Sequence, residues 1–144
     1  MPTQLSEFDS PTINTYSIET TIAEKIDAIL SLMEFSSRMK DYYDIYYLAN
    51  KFDFDGEILV KAINTTFENR KHSFTIEQFN QIVSSDTNDA MNKKWVAFCK
   101  KIQIDLDFKC ILKTIKNFLY LPYQAVLNKS EFDKKWSDNR QMWI

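Results

Sequence analysis

The chain has 144 residues, a length at which a single hydrophobic core usually closes into one domain. Hydrophobic residues make up 44% and charged residues 26% of the chain, which is typical of a globular protein and argues against extensive disorder. The net charge of −2, with no evident basic tract, disfavours non-specific binding to DNA or to membrane surfaces.

Glycine and histidine are scarce, and this limits the kinds of site that the chain can build. Gly56 is the single glycine, which excludes phosphate-binding loops made from several glycines, so a bound phosphate would be held by side chains. His72 is the single histidine and there are two cysteines, too few for a structural zinc site with four Cys and His ligands. We therefore predict no metal ligands of this kind.

The first 16 residues show no helical period and are predicted to form an extended lead-in. They lack a basic region followed by an apolar core, and no later segment approaches the roughly 18 apolar residues of a membrane span. This pattern predicts a cytoplasmic protein with no membrane partner.

Apolar residues at helical spacing then predict about six helices in residues 17–144. The first spans about 18–34, with Glu24, Lys25 and Asp27 directed away from its apolar stripe, and the second spans about 38–50. A third helix is predicted through Phe67, a short fourth over about 76–83, and a fifth that starts at 86–89 and reaches Ile102. A long helix follows from about 107, and Pro122 should end or kink it. The tail after residue 130 has no strong period.

Helix N-caps are predicted at Thr75 and at either Asp53 or Asp55, because short polar side chains satisfy the free N–H groups of a first helical turn. The fold class is therefore mainly α, a single bundle of about six helices preceded by the lead-in.

Four charges fall within seven residues at the start of the second helix: Arg38, Lys40, Asp41 and Asp44. Helical spacing brings Arg38 beside Asp41 and Lys40 beside Asp44. The short connection to the first helix allows Lys25 to face them. Two interpretations stay open: a solvated helix start stabilised by ion pairs, or a site in which cations bind phosphate and a carboxylate orients or deprotonates a nucleophile.

The segments YSIETTIAEKIDAI (16–29) and RMKDYYDIYYLA (38–49) together resemble the AbiEii/AbiGii-type nucleotidyltransferase toxins of bacterial type IV toxin–antitoxin and abortive-infection systems. The family carries a lysine in an A-E-K helix, here Lys25, and an R-x-K-D-x-x-D motif, met here by Arg38, Lys40, Asp41 and Asp44. Beyond residue 50 the resemblance rests on the helix pattern.

The resemblance also shows what is absent. Family members begin with an α/β half that has a G-G-x-x-L-type segment and a metal-binding D-x-D pair, and this chain has neither. Asp53 and Asp55 spell D-F-D, but they follow the second helix and are interpreted as capping residues. The chain is thus expected to correspond to the C-terminal helical half of such a protein, either a fragment or the product of a shortened gene.

The family assigns roles to the matching residues. The resemblance implies that Lys25, Arg38 and Lys40 bind the nucleotide, that Asp41 is the catalytic base or substrate-orienting acid, and that Asp44 supports it. The complete protein would use Mg²⁺ to transfer a nucleoside monophosphate from a nucleoside triphosphate to a hydroxyl, with RNA as one candidate acceptor.

Without the D-x-D half, this chain alone is expected to be inactive. Its expected partners are the missing α/β half or an antitoxin-like protein. The alternative is a non-catalytic interaction module that binds such a partner or self-associates as a homo-oligomer through an exposed apolar face.

Overall fold

The computed structural model describes residues 17–32 and 39–144, and these residues form a mainly α fold, as the sequence predicted. The helices are α1 (Ile18–Leu32), α2 (Met39–Lys51), α3 (Gly56–Asn69), α4 (Ile76–Ile82), α5 (Asp89–Ile102) and α6 (Phe108–Asn128). The strands are β1 (Phe54–Asp55), β2 (Lys135–Ser137) and β3 (Met142–Trp143), and one 3-10 turn covers Ser85–Thr87. The predicted lead-in and Arg38 lie outside the described residues.

Side-chain caps fix where the central helices begin. The Asp55 carboxylate accepts hydrogen bonds from the backbone N–H groups of Glu57 and Ile58 at the start of α3. Thr75 caps α4 in a reciprocal capping box with Gln78, which confirms the predicted cap. Asp53 instead accepts a hydrogen bond from the Asp138 N–H at 2.8 Å, so it holds the C-terminal hairpin.

Pro122 does not end the last helix, which was one of the two predicted outcomes, because α6 continues to Asn128. Proline has no N–H to donate to the carbonyl four residues earlier, which here belongs to Phe118. The indole Nε1–H of Trp143 donates to that carbonyl at 2.8 Å instead. The helix therefore passes through Pro122 with this carbonyl satisfied by the C-terminal strand.

The C-terminal tail forms a small antiparallel sheet that the helical period did not predict. The strand order is β1–β2–β3, with Phe54 opposite Trp136 and Trp136 opposite Trp143. Trp136 is completely buried and its Nε1–H donates to the Ala49 carbonyl at 2.8 Å, which joins the sheet to the end of α2. A Cβ on Gly56 would clash with the Lys134 carbonyl oxygen, so glycine is required where this tail passes.

The core positions α1 between two neighbours. Its buried residues, Ile22, Ala23, Ile26, Ile29 and Leu30, join one apolar cluster with residues of the other helices and of the sheet. α1 packs against α2 and against α3, while α6 packs against both of those helices. The two flanks of α1 therefore meet different partners, and each flank carries a cluster of charges.

Candidate functional site

The charged start of α2 meets α1 at the residues that the sequence singled out. The Lys25 Nζ atom lies 2.9 Å from Asp44 Oδ2 and 3.3 Å from Asp41 Oδ1. The Lys40 Nζ atom lies 2.6 Å from the same Asp44 Oδ2. We call these four residues the α1–α2 charge cluster. Its geometry matches the predicted approach of the two helices, and the roles of its members stay predictions.

Helical spacing explains why these side chains converge. The face of α2 that packs into the core carries Met39, Tyr42, Ile45 and Ala49. Asp41 and Asp44 are three residues apart and therefore share one flank of α2, beside that apolar stripe. Lys25 lies next to the buried stripe of α1 and extends from it toward that flank.

The side chains of the α1–α2 charge cluster range from buried to exposed. The Asp41 side chain is 4% exposed, those of Asp44 and Lys25 are 19% and 22% exposed, and that of Lys40 is 73% exposed. A ligand arriving from solvent would therefore meet Lys40 first and Asp41 last. Asp44 forms one ion pair with Lys25 and one with Lys40. The pair with the exposed Lys40 is the easier one to replace, since solvent-exposed pairs contribute little net free energy.

Lys25 and Asp44 shift each other's titration in the directions expected of a close ion pair. Burial acts to lower the pKa of Lys25, but hydrogen bonding and charge attraction from Asp44 and then Asp41 outweigh it, so its pKa lies above the usual value. Burial acts to raise the pKa of Asp44, but the hydrogen bonds from Lys40 and Lys25 outweigh it, so its pKa lies below the usual value. Both groups are therefore charged at neutral pH.

A second charge cluster, on the other flank of α1, was not predicted. Asp27 was expected on a polar face, yet it is 1% exposed, so that prediction was wrong. Its carboxylate oxygens lie 3.2 Å from Arg70 Nη1 and 2.9 Å from His72 Nδ1, and Ser31 Oγ lies 3.5 Å from Oδ1. We call Asp27, Arg70, His72 and Ser31 the α1–α3 charge cluster. The sequence contained one indication that Asp27 is buried: it directly follows the core residue Ile26 on an otherwise buried helix.

Two further features of the described residues bear on the kinds of site. No group of three or more His, Cys, Asp and Glu side chains within residues 17–32 and 39–144 is arranged to hold a metal ion. In the same part of the chain, no helix is long and apolar enough to cross a membrane.

Comparison with known proteins identifies the family. Neither the curated proteins nor the solved structures gave a match. A family model described as nucleotidyl transferase AbiEii toxin, type IV TA system, matches residues 1–120, a range that includes both helices of the α1–α2 charge cluster. The chain belongs to this AbiEii family of nucleotidyl transferase toxins.

Proposed function

We propose that the chain is the nucleotide- and substrate-facing helical part of a nucleotidyltransferase toxin. The complete enzyme would transfer a nucleoside monophosphate from a nucleoside triphosphate to a hydroxyl, with RNA as a candidate acceptor, in the bacterial cytoplasm. Family membership supports the reaction class. The observation that carries the proposal for this chain is the meeting of Lys25, Asp41 and Asp44 across two helices.

The cluster offers both cations and carboxylates to such a reaction. Lys40 and Lys25 would contact phosphate oxygens. The phosphate would take the place of Asp44 at Lys40, and Asp44 would keep its ion pair with Lys25. Asp41 would orient the acceptor hydroxyl or take its proton. The hydroxyl oxygen would then attack the α-phosphorus while the bond to the bridging oxygen breaks, and pyrophosphate would leave.

The described acids do not suit a catalytic magnesium ion. Asp41 and Asp44 both contact the Lys25 ammonium, and a cation at that position would repel Mg²⁺. We therefore assign the Mg²⁺ ligands to the D-x-D pair of the family's α/β half. It follows that this chain alone should be inactive.

Complementation tests this proposal. The chain would be mixed with a separately produced α/β half from a family member that carries the G-G-x-x-L and D-x-D segments. Mg²⁺, each of the four ribonucleoside triphosphates in turn and total RNA would be supplied. We expect labelled nucleotide to appear in RNA only when both halves are present. Absence of association by calorimetry, together with absence of transfer, would refute the proposal.

One surface feature supports the alternative of an interaction module. A cleft of about 690 Å³ lies between α3 and the C-terminal end of α6, and Ile58 on its wall is 48% exposed. An antitoxin-like protein or a second copy of the chain would cover the exposed Ile58 side chain. Sedimentation of the chain and of an Ile58→Glu variant tests self-association, which the substitution should abolish. A monomer at all concentrations would leave only the heterologous partner.

A further inference from the structure

One outer side of α2 carries tyrosines and lysines together, beginning at the α1–α2 charge cluster. Lys40, Tyr43, Tyr47 and Lys51 recur at spacings of three and four residues, so they follow one side of the helix. The ring centres of Tyr43 and Tyr47 are 6.3 Å apart, and Lys51 Nζ lies 5.7 Å from the centre of the Tyr47 ring. Tyr47 is 45% exposed, so core packing does not account for it.

α5 extends this side with more positive charge. The Phe98 ring centre lies 6.0 Å from that of Tyr43, so the Phe98 side of α5 borders α2. Lys94 and Lys101 lie four residues before and three residues after Phe98, on that same side. Residues 93–101 contain four lysines and no acidic residue. We call Tyr43, Tyr47, Lys51, Phe98 and Lys101 the tyrosine–lysine face.

The overall charge of the chain conceals this local distribution. A net charge of −2 disfavoured nucleic-acid binding by bulk electrostatics. Locally, however, the exposed Tyr47 ring lies beside Lys51, and both Lys51 and Lys101 of α5 are exposed. Single-stranded nucleic acids are bound by this combination, since bases stack on aromatic rings while cations contact the phosphates.

We propose that the tyrosine–lysine face binds single-stranded nucleic acid, with a base stacked on Tyr47 and phosphates held by Lys51 and Lys101. A duplex does not fit this chemistry, because its bases are already stacked and offer no free ring face. Lys40, whose amine contacts Asp44, lies three residues before Tyr43 on the same side of α2, next to the face. A bound strand thus leads toward the α1–α2 charge cluster. Naming this strand the acceptor rests on the proposed function, whereas its binding does not.

Fluorescence anisotropy with a labelled 12-nucleotide oligoadenylate tests this binding on the intact chain. Tyr47→Ala should weaken binding about 5- to 50-fold through loss of stacking, whereas Tyr47→Phe, which keeps the ring, should bind like the wild type. Lys101→Gln should reduce the slope of log K against log salt by about 0.7, since one phosphate contact is lost. Lys61→Gln on α3, also an exposed lysine, is the matched control and should change neither quantity.

Two results would overturn the proposal: Tyr47→Ala binding the strand as tightly as the wild type, or polyglutamate or an RNA duplex of equal length binding as tightly as the single strand. The complementation experiment separates this proposal from the proposed function. Failure of the complementation experiment with strand binding intact would refute the proposed transfer alone.

Discussion

The two flanks of α1 carry charge clusters that each contain a nearly buried acid but differ in how exposed the partners of the acids are. On the α2 flank, two lysines face two carboxylates, and the exposure rises from Asp41 to Lys40. On the α3 flank, Asp27 is almost fully buried and its partners Arg70 and His72 are 43% and 36% exposed. A group of opposite charges is therefore not by itself evidence of a functional site, because α1 also uses such a group to pair the buried Asp27.

The two clusters differ in whether a ligand could replace one of their ion pairs. Under the proposed function, the phosphate of a nucleotide would take the place of Asp44 at the exposed Lys40 without burying a new charge. Asp27 has no comparable freedom, because removal of its partners would leave a carboxylate in the core. We therefore expect substitutions on the α3 flank to lower stability and substitutions on the α2 flank to lower function.

Removing both partners of Asp27 should have the greatest effect on stability. Arg70→Ala combined with His72→Ala leaves the Asp27 carboxylate with only Ser31 among its observed partners. We expect a loss of about 3–5 kcal/mol in the free energy of unfolding, measured by urea denaturation. Adding Asp27→Asn should recover part of that loss, since the buried charge is removed. A double variant within about 1 kcal/mol of the wild type would contradict the assigned role.

Lys25→Met should lower stability less, by about 1–3 kcal/mol. It removes one contact of the buried Asp41, whereas Asp44 is partly exposed and keeps Lys40. In the complemented enzyme the same substitution should abolish nucleotide transfer. Lys25→Arg keeps the charge but alters its shape, so it should retain most of the stability and little of the transfer. If the transfer rate of Lys25→Met fell only in proportion to its folded fraction, Lys25 would be a structural residue.

Stability should also fall at both extremes of pH for reasons that the α1–α2 charge cluster supplies. The pKa of Asp44 is lowered in the folded protein, so its contribution is present above the unfolded value, about pH 4, and is lost as the pH falls through the folded value. The pKa of Lys25 is raised, so its contribution is present below about pH 10.5 and is lost above it.

The acid side of this dependence is the easier one to measure. Asp44→Asn should flatten the decline in melting temperature below pH 4 relative to the wild type. Asp133→Asn, which removes an exposed carboxylate in the C-terminal segment, is the matched control. Identical acid profiles for wild type and Asp44→Asn would contradict the inferred coupling.

Lys40→Ala should have the smallest effect on stability, about 0.3–0.5 kcal/mol, because its side chain is 73% exposed and the pair is an i,i+4 helix pair. Lys61→Ala on α3 is an exposed helical control. A loss above about 1 kcal/mol would show that Lys40 is a structural element of the cluster rather than its exchangeable rim.

The sequence was informative where a feature is local in the chain. Helical spacing predicted the approach of Lys25, Asp41 and Asp44, and Thr75 was correctly assigned as a cap, because each depends on residues a few positions apart or on two adjacent helices. Asp27 was misplaced because its partners Arg70 and His72 lie more than 40 residues away.

The same limit explains the errors at the C-terminus. The passage of α6 through Pro122 depends on Trp143, whose indole satisfies the Phe118 carbonyl. The strand containing Trp136 pairs with β1, about 80 residues earlier in the chain. Neither contact leaves a periodic signal in the sequence, because both are set by which surfaces the core brings together.

The most direct test compares the two flanks of α1 in one assay. Nucleotide transfer by the complemented enzyme would be measured for Asp41→Asn and for His72→Gln, at a temperature where both variants are fully folded. If the α1–α2 charge cluster is the reacting site, Asp41→Asn should reduce the transfer rate by about 10²–10⁴-fold and His72→Gln should leave it within about two-fold. Wild-type transfer by Asp41→Asn would contradict the account.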